Sequence, residues 1–108
     1  MKGTIKRKED IERLFQKGRR SSSSFVMVIE ISNDHSPLGR CAFIAGKKLG
    51  SAPVRNHCKR VMREVARELG GPWKGHDIAF IARRKLASAR HDDLVKRVEK
   101  QLRELDVV

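Results

Sequence analysis

One stretch limits what this chain can fold into: Gly46 to Leu69, GKKLGSAPVRNHCKRVMREVAREL. Its centre has the period of an amphipathic helix. With residues ~100° apart around the axis, Val54, Cys58, Val61, Met62, Val65 and Leu69 form one apolar stripe. Arg55, Lys59, Arg63, Asn56, Arg67 and Arg60 fill a continuous arc beside and behind it, and Glu64 and Glu68 fall on the other border. Ser51 is the predicted N-cap, its hydroxyl accepting from a free N–H of the first turn. Pro53 sits where its missing N–H does no harm, and Gly70-Gly71-Pro72 ends the helix.

A solvated helix usually interleaves its charges; this one separates them. The result is a row of forked guanidinium donors and ammonium point charges at helical spacing, which suits a phosphate backbone. A second basic pair, Lys47-Lys48, stands just before the cap on a glycine-flanked turn.

The whole chain follows the same sign. Its 108 residues suffice for one domain with a modest core, and 25 Lys and Arg against 13 Asp and Glu leave a net charge of +12. Such an excess favours a polyanionic partner. Charge alone does not distinguish nucleic acid from an anionic membrane, but the longest strongly apolar run, Phe25 to Ile29, is too short to span a bilayer. The opening MKGTIKRKEDIERLF has no apolar signal region, so a soluble cytoplasmic protein is expected, without a membrane partner. Cys41 and Cys58 form no CxxC pair and are expected to be reduced core thiols. His35, His57, His76 and His91 lack metal-ligand spacing, and no metal site is expected.

Along the chain, Lys8 to Lys17 is predicted as a first helix ending at Gly18, with Ile11, Leu14 and Phe15 as its stripe and Ile5 anchoring the lead-in. Arg19 to Ser24 is expected to be a flexible polar connector. Phe25 to Ile31 is a predicted strand with Phe25, Met27, Ile29 and Ile31 on one face and Val26, Val28 and Glu30 on the other. Ser32 to Pro37 is a predicted turn. Arg40 to Ala45 is the next strand, and the pair is expected to form an antiparallel hairpin. After the central helix, Trp73 is expected to lie over the helix end as a hydrophobic lid. Asp77 to Arg83 is a nearly continuous apolar strand and so internal; it emerges into the basic cluster Arg83-Arg84-Lys85. A last helix from about Ser88 to Leu105 buries Leu94, Val95, Val98, Leu102 and Leu105. The order is helix, strand, strand, helix, strand, helix, with room for one more short strand. That is an α+β domain, a small sheet packed by three helices.

Lys47-Lys48, Ala52 and Arg55-Asn56-x-x-Lys59-Arg60-x-x-Arg63-Glu64 resemble the signature of the bacterial ribonuclease P protein family: a Lys-Lys pair, a short spacer, then Arg-Asn-Arg-x-x-Lys-Arg-x-x-Arg. Ile5, Asp10, Phe15 and Gly18 match the family's first helix, and Asp77 to Arg83 its last strand, so the resemblance covers nearly the whole chain in order. Two departures stand out. His57 replaces the third residue of the Arg-Asn-Arg triplet; on the wheel it lies off the basic arc, near Glu64 and Val61. Ile11 and Val28 occupy positions where the family often has aromatics, and the chain has no Tyr.

The resemblance implies a fold of the ribosomal protein S5 domain 2 type, with a mixed sheet and a left-handed βαβ crossover. It implies a protein subunit of ribonuclease P, whose RNA subunit cuts the 5′ leader from precursor tRNA with bound magnesium, the protein holding no cofactor tightly. It implies two RNA surfaces. Arg55, Asn56, Lys59, Arg60, Arg63, Lys47 and Lys48 would meet the catalytic RNA. A cleft with Ile11, Phe15 and Val28 as floor and Lys48, Arg83 and Arg84 as rims would hold the leader. No catalytic residue is expected in the protein itself. Its adjacent acid pairs, Glu9-Asp10 and Asp92-Asp93, fall at helix starts where the dipole favours them. The alternative is a ribosomal or general RNA-binding protein with no linked nuclease activity.

Overall fold

The computed structural model of the chain describes residues 4–34 and 38–108. Its elements are α1 (Lys8–Lys17), β1 (Arg19–Ser22), β2 (Val26–Ser32), β3 (Arg40–Ile44), α2 (Ala52–Glu68), β4 (His76–Ala82) and α3 (His91–Glu104), with 3₁₀ turns at Lys47–Leu49 and Arg84–Ser88. The strands form one mixed sheet in the order β1-β2-β4-β3. β4 runs antiparallel to β2 and parallel to β3. The last strand is therefore internal, and β3-α2-β4 is a parallel crossover unit, as such a pair requires.

The expected hairpin of β2 and β3 does not form. β4 inserts between them, so the two strands are antiparallel in direction but never touch as a pair. Sequence adjacency suggested the hairpin; β4 displaces it because Ile78, Ala79 and Phe80 need cover on both faces and both edges, and all are buried. The last three residues of the predicted Ser32 to Pro37 turn, His35 among them, lie outside the described residues, and Ser32 still belongs to β2.

Side-chain alternation along the strands divides the core in two. On one face Val26, Val28, Cys41, Ile78 and Phe80 meet Cys58, Met62, Val65 and Ala66 of α2 and Leu94, Val98 and Leu102 of α3. On the other face Ile29, Ala42 and Ala79 are covered by Leu14 of α1 and by Ile5. Ile5 anchors the lead-in as expected, its N–H donating to the Cys41 carbonyl at 2.8 Å. Gly18 lets α1 end against the sheet, since a Cβ there would stand 2.3 Å from Ile29 Cγ2.

The central helix departs from its predicted outline at its start. Ala52, Pro53 and Val54 are all exposed, because the first turn projects beyond the core, and Cys58 is the first fully buried residue. Ser51 occupies the N-cap position with no side-chain bond to the helix. The C-terminus is firmly closed: Gly70 N–H bonds to Arg67 O and Gly71 N–H to Ala66 O, a Schellman arrangement that needs the left-handed φ of +95° at Gly70. Trp73 folds back over this end, its Nε1 donating to Leu69 O at 3.3 Å. The last helix starts three residues later than expected, because the chain is extended at Ala89 and Arg90 between the 3₁₀ turn and α3.

Arg19 to Ser22 is not a loose connector. It is an edge strand, with Arg19 paired opposite Glu30 and Ser22 opposite Met27. α3 fastens it: Gln101 Nε2 donates to Ser21 O at 2.7 Å and to Val26 O at 3.1 Å. Ser21 Oγ donates to Glu104 at 2.7 Å and Arg19 to Leu105 O at 2.6 Å. Among the described residues no helix is long and apolar enough to cross a membrane.

Candidate nucleic-acid interface

The register lays out an open apolar row. Ser22, Met27, Ile81 and Ile44 are consecutive partners across all four strands, on the α1 face. One step along the pleat, Ile29, Ala79 and Ala42 make the next row, and α1 buries it completely or nearly so. Met27, Ile81 and Ile44 stay half-exposed because α1 stops short of them. Phe15 on α1 flanks this row at 37% exposure, and the Arg20 guanidinium stands 5.9 Å from its ring centroid. Arg20 also donates to the Phe15 carbonyl and to Met27 Sδ. Ile11 is half-buried in the same cluster.

Val28 does not belong to this surface. It is fully buried under α2 and α3, on the opposite face of the sheet. The pleat explains the correction: neighbours in a strand point to opposite faces, so Met27 takes the place given to Val28. Met27, Ile44, Ile81 and Arg20 are the lining residues that the sequence left unselected. The alternation of β2 already put Met27 on the face of Ile29, and that was the available signal.

Both basic rims lie at one end of the sheet. β3 and β4 are parallel, so Lys47-Lys48 after β3 and Arg83-Arg84 after β4 leave by the same end, and all four are exposed. Arg83, Arg84 and Lys85 line a concavity with Ser22, Ser23 and Ser24 of the β1–β2 turn.

The basic arc of α2 runs beside the edge strand β3. The Arg63 guanidinium lies 5.7 Å from the ring centroid of Phe43, which itself stacks on Phe80. Lys59 and Arg55, one and two turns earlier, are half-buried, while Asn56, Arg60 and Arg63 are exposed. Arg55 Nε is enclosed with no hydrogen-bond partner among the described residues. His57 is exposed and meets Arg60, one turn along, with Nδ1 3.2 Å from Nη2. Its ring thus touches the edge of the arc, although its place on the helix is beside Val61 and Glu64.

The buried carboxylates Asp77 and Glu30 and the half-buried Asp10 have structural duties. Asp77 receives Arg40 and Asn33, Asp10 receives Arg40, and Glu30 receives Arg19, His76 and Ser32. Among the described residues no three His, Cys, Asp or Glu side chains converge as a metal site would require.

Comparison with known proteins gives this geometry its context. Residues 2–106 match the family model Ribonuclease P. The chain is 33% identical over 98 residues to the "Ribonuclease P protein component" of Syntrophomonas wolfei, covering 88% of this chain and 80% of that one. It is 30% identical to that of Alkaliphilus metalliredigens, over 96% of this chain and 94% of the other. The Staphylococcus aureus RNase P protein superposes with a TM-score of 0.85 at 26% identity, covering 99% and 98% of the two chains. The Thermotoga maritima RNase P protein has the same fold, with a TM-score of 0.80 at 24% identity over 94% and 96%. The chain belongs to the ribonuclease P protein family, the protein subunit of ribonuclease P in tRNA processing.

Proposed function

We propose that the protein is a non-catalytic subunit that grips RNA on two sides of its sheet. The row of Met27, Ile81 and Ile44, flanked by Phe15, holds the single-stranded 5′ leader of precursor tRNA. The arc of Arg55, Asn56, Lys59, Arg60 and Arg63, with Lys47 and Lys48, docks on the catalytic RNA. The observation that carries the reading is the open apolar row with cations at its end. Single strands need flat or aliphatic surface for bases and positive charge for phosphates, and they need no complementary strand. Along α2 the requirement differs: forked donors and point charges at helical spacing suit a fixed backbone.

In this reading the catalytic RNA holds the magnesium, which supplies Lewis-acid and nucleophile activation for phosphodiester hydrolysis. The protein supplies affinity and positioning. Asp77, Glu30 and Asp10 support that assignment, since each is already paired with arginine inside the fold. The reading also puts the protein in the cytoplasm beside its RNA partner. The test is reconstitution with a bacterial catalytic RNA at low magnesium, assayed for 5′ trimming of precursor tRNA. Protein-dependent trimming is expected, with no cleavage by protein alone. Cleavage by RNA-free protein would overturn the division of labour.

A further inference from the structure

The cleft does not stop at the end of the sheet. Beyond the serine turn the chain passes to Phe25, whose carbonyl accepts from Arg83 N–H at 2.9 Å. That bond joins the basic end of β4 to a second trough. Phe25 is half-buried at its floor, and Asp93, Lys96, Arg97 and Lys100 of α3 line it. These four residues are spaced i, i+3, i+4 and i+7, so they share one face of the helix. None of the three cations has an ion-pair partner among the described residues, whereas Arg103 on the same helix pairs with Glu99 at 3.7 Å. Asp93 is the single acid; it occupies the first turn of α3, where the helix dipole favours a carboxylate.

We propose that this trough carries a second stretch of single-stranded RNA, the leader nucleotides upstream of those in the cleft. The proposal rests on the leader reading of the α1 face and extends it around the sheet end. The path is continuous. The open row on the α1 face ends at Ser22, the concavity of Ser22–Ser24 and Arg83–Lys85 follows, and Phe25 with its α3 cations comes next. An aromatic floor walled by unpaired cations takes a base and its flanking phosphates. α3 would then contribute in a length-dependent way that the cleft alone does not produce.

The test uses holoenzyme reconstituted with catalytic RNA. Mature tRNA without a leader is compared with precursors carrying a leader of about six or about fourteen nucleotides, a span within the range of single-strand sites. The parent protein is compared with a triple variant, Lys96→Gln, Arg97→Gln and Lys100→Gln. These side chains lie on the solvent side of α3 and the variant's thermal melt should match the parent's. The parent should bind the longest leader roughly three- to ten-fold tighter than the middle one, and the triple variant should lose that gain. Its salt dependence on the longest leader should flatten by up to about 0.7 in log–log slope for each lost contact. The gain of the middle leader over none should be the same in both proteins. If the parent gains nothing beyond the middle leader, or the triple variant keeps the whole gain, the α3 path is wrong and the cleft stands. If the middle leader gains nothing over none, the cleft reading fails first, and the α3 path with it. A photoreactive base near the 5′ end of the longest leader should crosslink to the α3 peptide; crosslinking only to the catalytic RNA would overturn the proposal.

Discussion

Arg40 and Asp77 face each other across the parallel β3–β4 pair and make a two-pronged ion pair, with Nε 3.1 Å from Oδ1 and Nη2 2.7 Å from Oδ2. Arg40 reaches Asp10 of α1 with its remaining nitrogen at 3.0 Å. One guanidinium therefore fastens the crossover unit to the first helix. The hydrogen bonds to Asp77 raise the Arg40 pKa above its ordinary value, burial opposes this and Asp10 adds to it, so the arginine stays charged throughout the working range. Arg40→Met strands Asp77, whose side chain is 6% exposed. The expected cost is roughly 3 kcal/mol, near the low end for a broken buried pair because the Arg40 side chain keeps 30% exposure. Urea unfolding should show it as a lower midpoint at unchanged m-value. Adding Asp77→Asn should recover part of the loss; a double variant as unstable as the sum of the two would deny the coupling.

Cys41 gives the stability a pH dependence of its own. Burial, with Asp77 nearby, pushes its thiol up to about 12, against roughly 8.5 for a free thiol in an unfolded chain. The unfolded state releases the proton first, so this contribution is intact below about pH 8.5 and declines as pH rises toward the folded value. Stability of the parent should fall with a slope of up to about 1.4 kcal/mol per pH unit from this group. Cys41→Ala should be less stable at neutral pH yet flatter between about pH 8.5 and 10.5. In the native protein neither Cys41 nor Cys58, both buried, should react with iodoacetamide at pH 8. Rapid native labelling of Cys41 would show that the strand opens.

The basic arc makes a separable prediction. Replacing Arg55, Lys59 and Arg63 with Gln should leave the fold intact, since none belongs to either core cluster. Binding to the catalytic RNA should weaken, and its log–log salt slope should flatten by up to about 0.9 per lost duplex contact. Within the arc, Arg55→Ala should cost more than His57→Ala. Arg55 stands at the first arginine of the family's Arg-Asn-Arg signature and is always charged, while His57 replaces its third residue and rests on Arg60. The opposite ranking would mean that His57 has taken over the contact of the family's arginine.

The three helices, the internal β4 and the segregated charges of α2 were legible in the sequence, because each rests on a pattern within a single segment. Two features were not. β1, Arg-Arg-Ser-Ser, has no apolar pattern; its order comes from Gln101, Glu104 and Leu105, about eighty residues away. That β4 takes β2 and β3 as its two neighbours depends on pairing between distant segments, which no local stretch encodes. The face each residue of β2 takes was legible as well, since the parity of the strand separates Met27 from Val28. The family's aromatic position points to Val28, but the pleat aims that side chain at α2 and α3.

That parity sets up the sharpest contrast between neighbours. Met27 and Val28 are adjacent, yet one is half-exposed on the α1 face and the other fully buried under α2 and α3. Val28→Ala removes two methyl groups from a closed core and should cost about 2 kcal/mol of stability, while each folded molecule binds leader as before. Phe15→Ala and Met27→Ala should act on RNA instead. Phe15 is 37% exposed beneath Arg20, and loss of a base–aromatic contact is worth ~1–3 kcal/mol, a factor of roughly 5 to 150 in affinity. Met27 offers an aliphatic surface and should contribute less. The decisive quantity is the ratio of affinities for precursor tRNA with and without its leader, measured in the reconstituted holoenzyme beside thermal melts of each variant. Phe15→Ala should collapse that ratio toward one, and Val28→Ala should leave it unchanged at a lower melting temperature. A Val28→Ala protein of parental stability with a reduced ratio would return Val28 to the cleft and reverse the assignment of the two sheet faces.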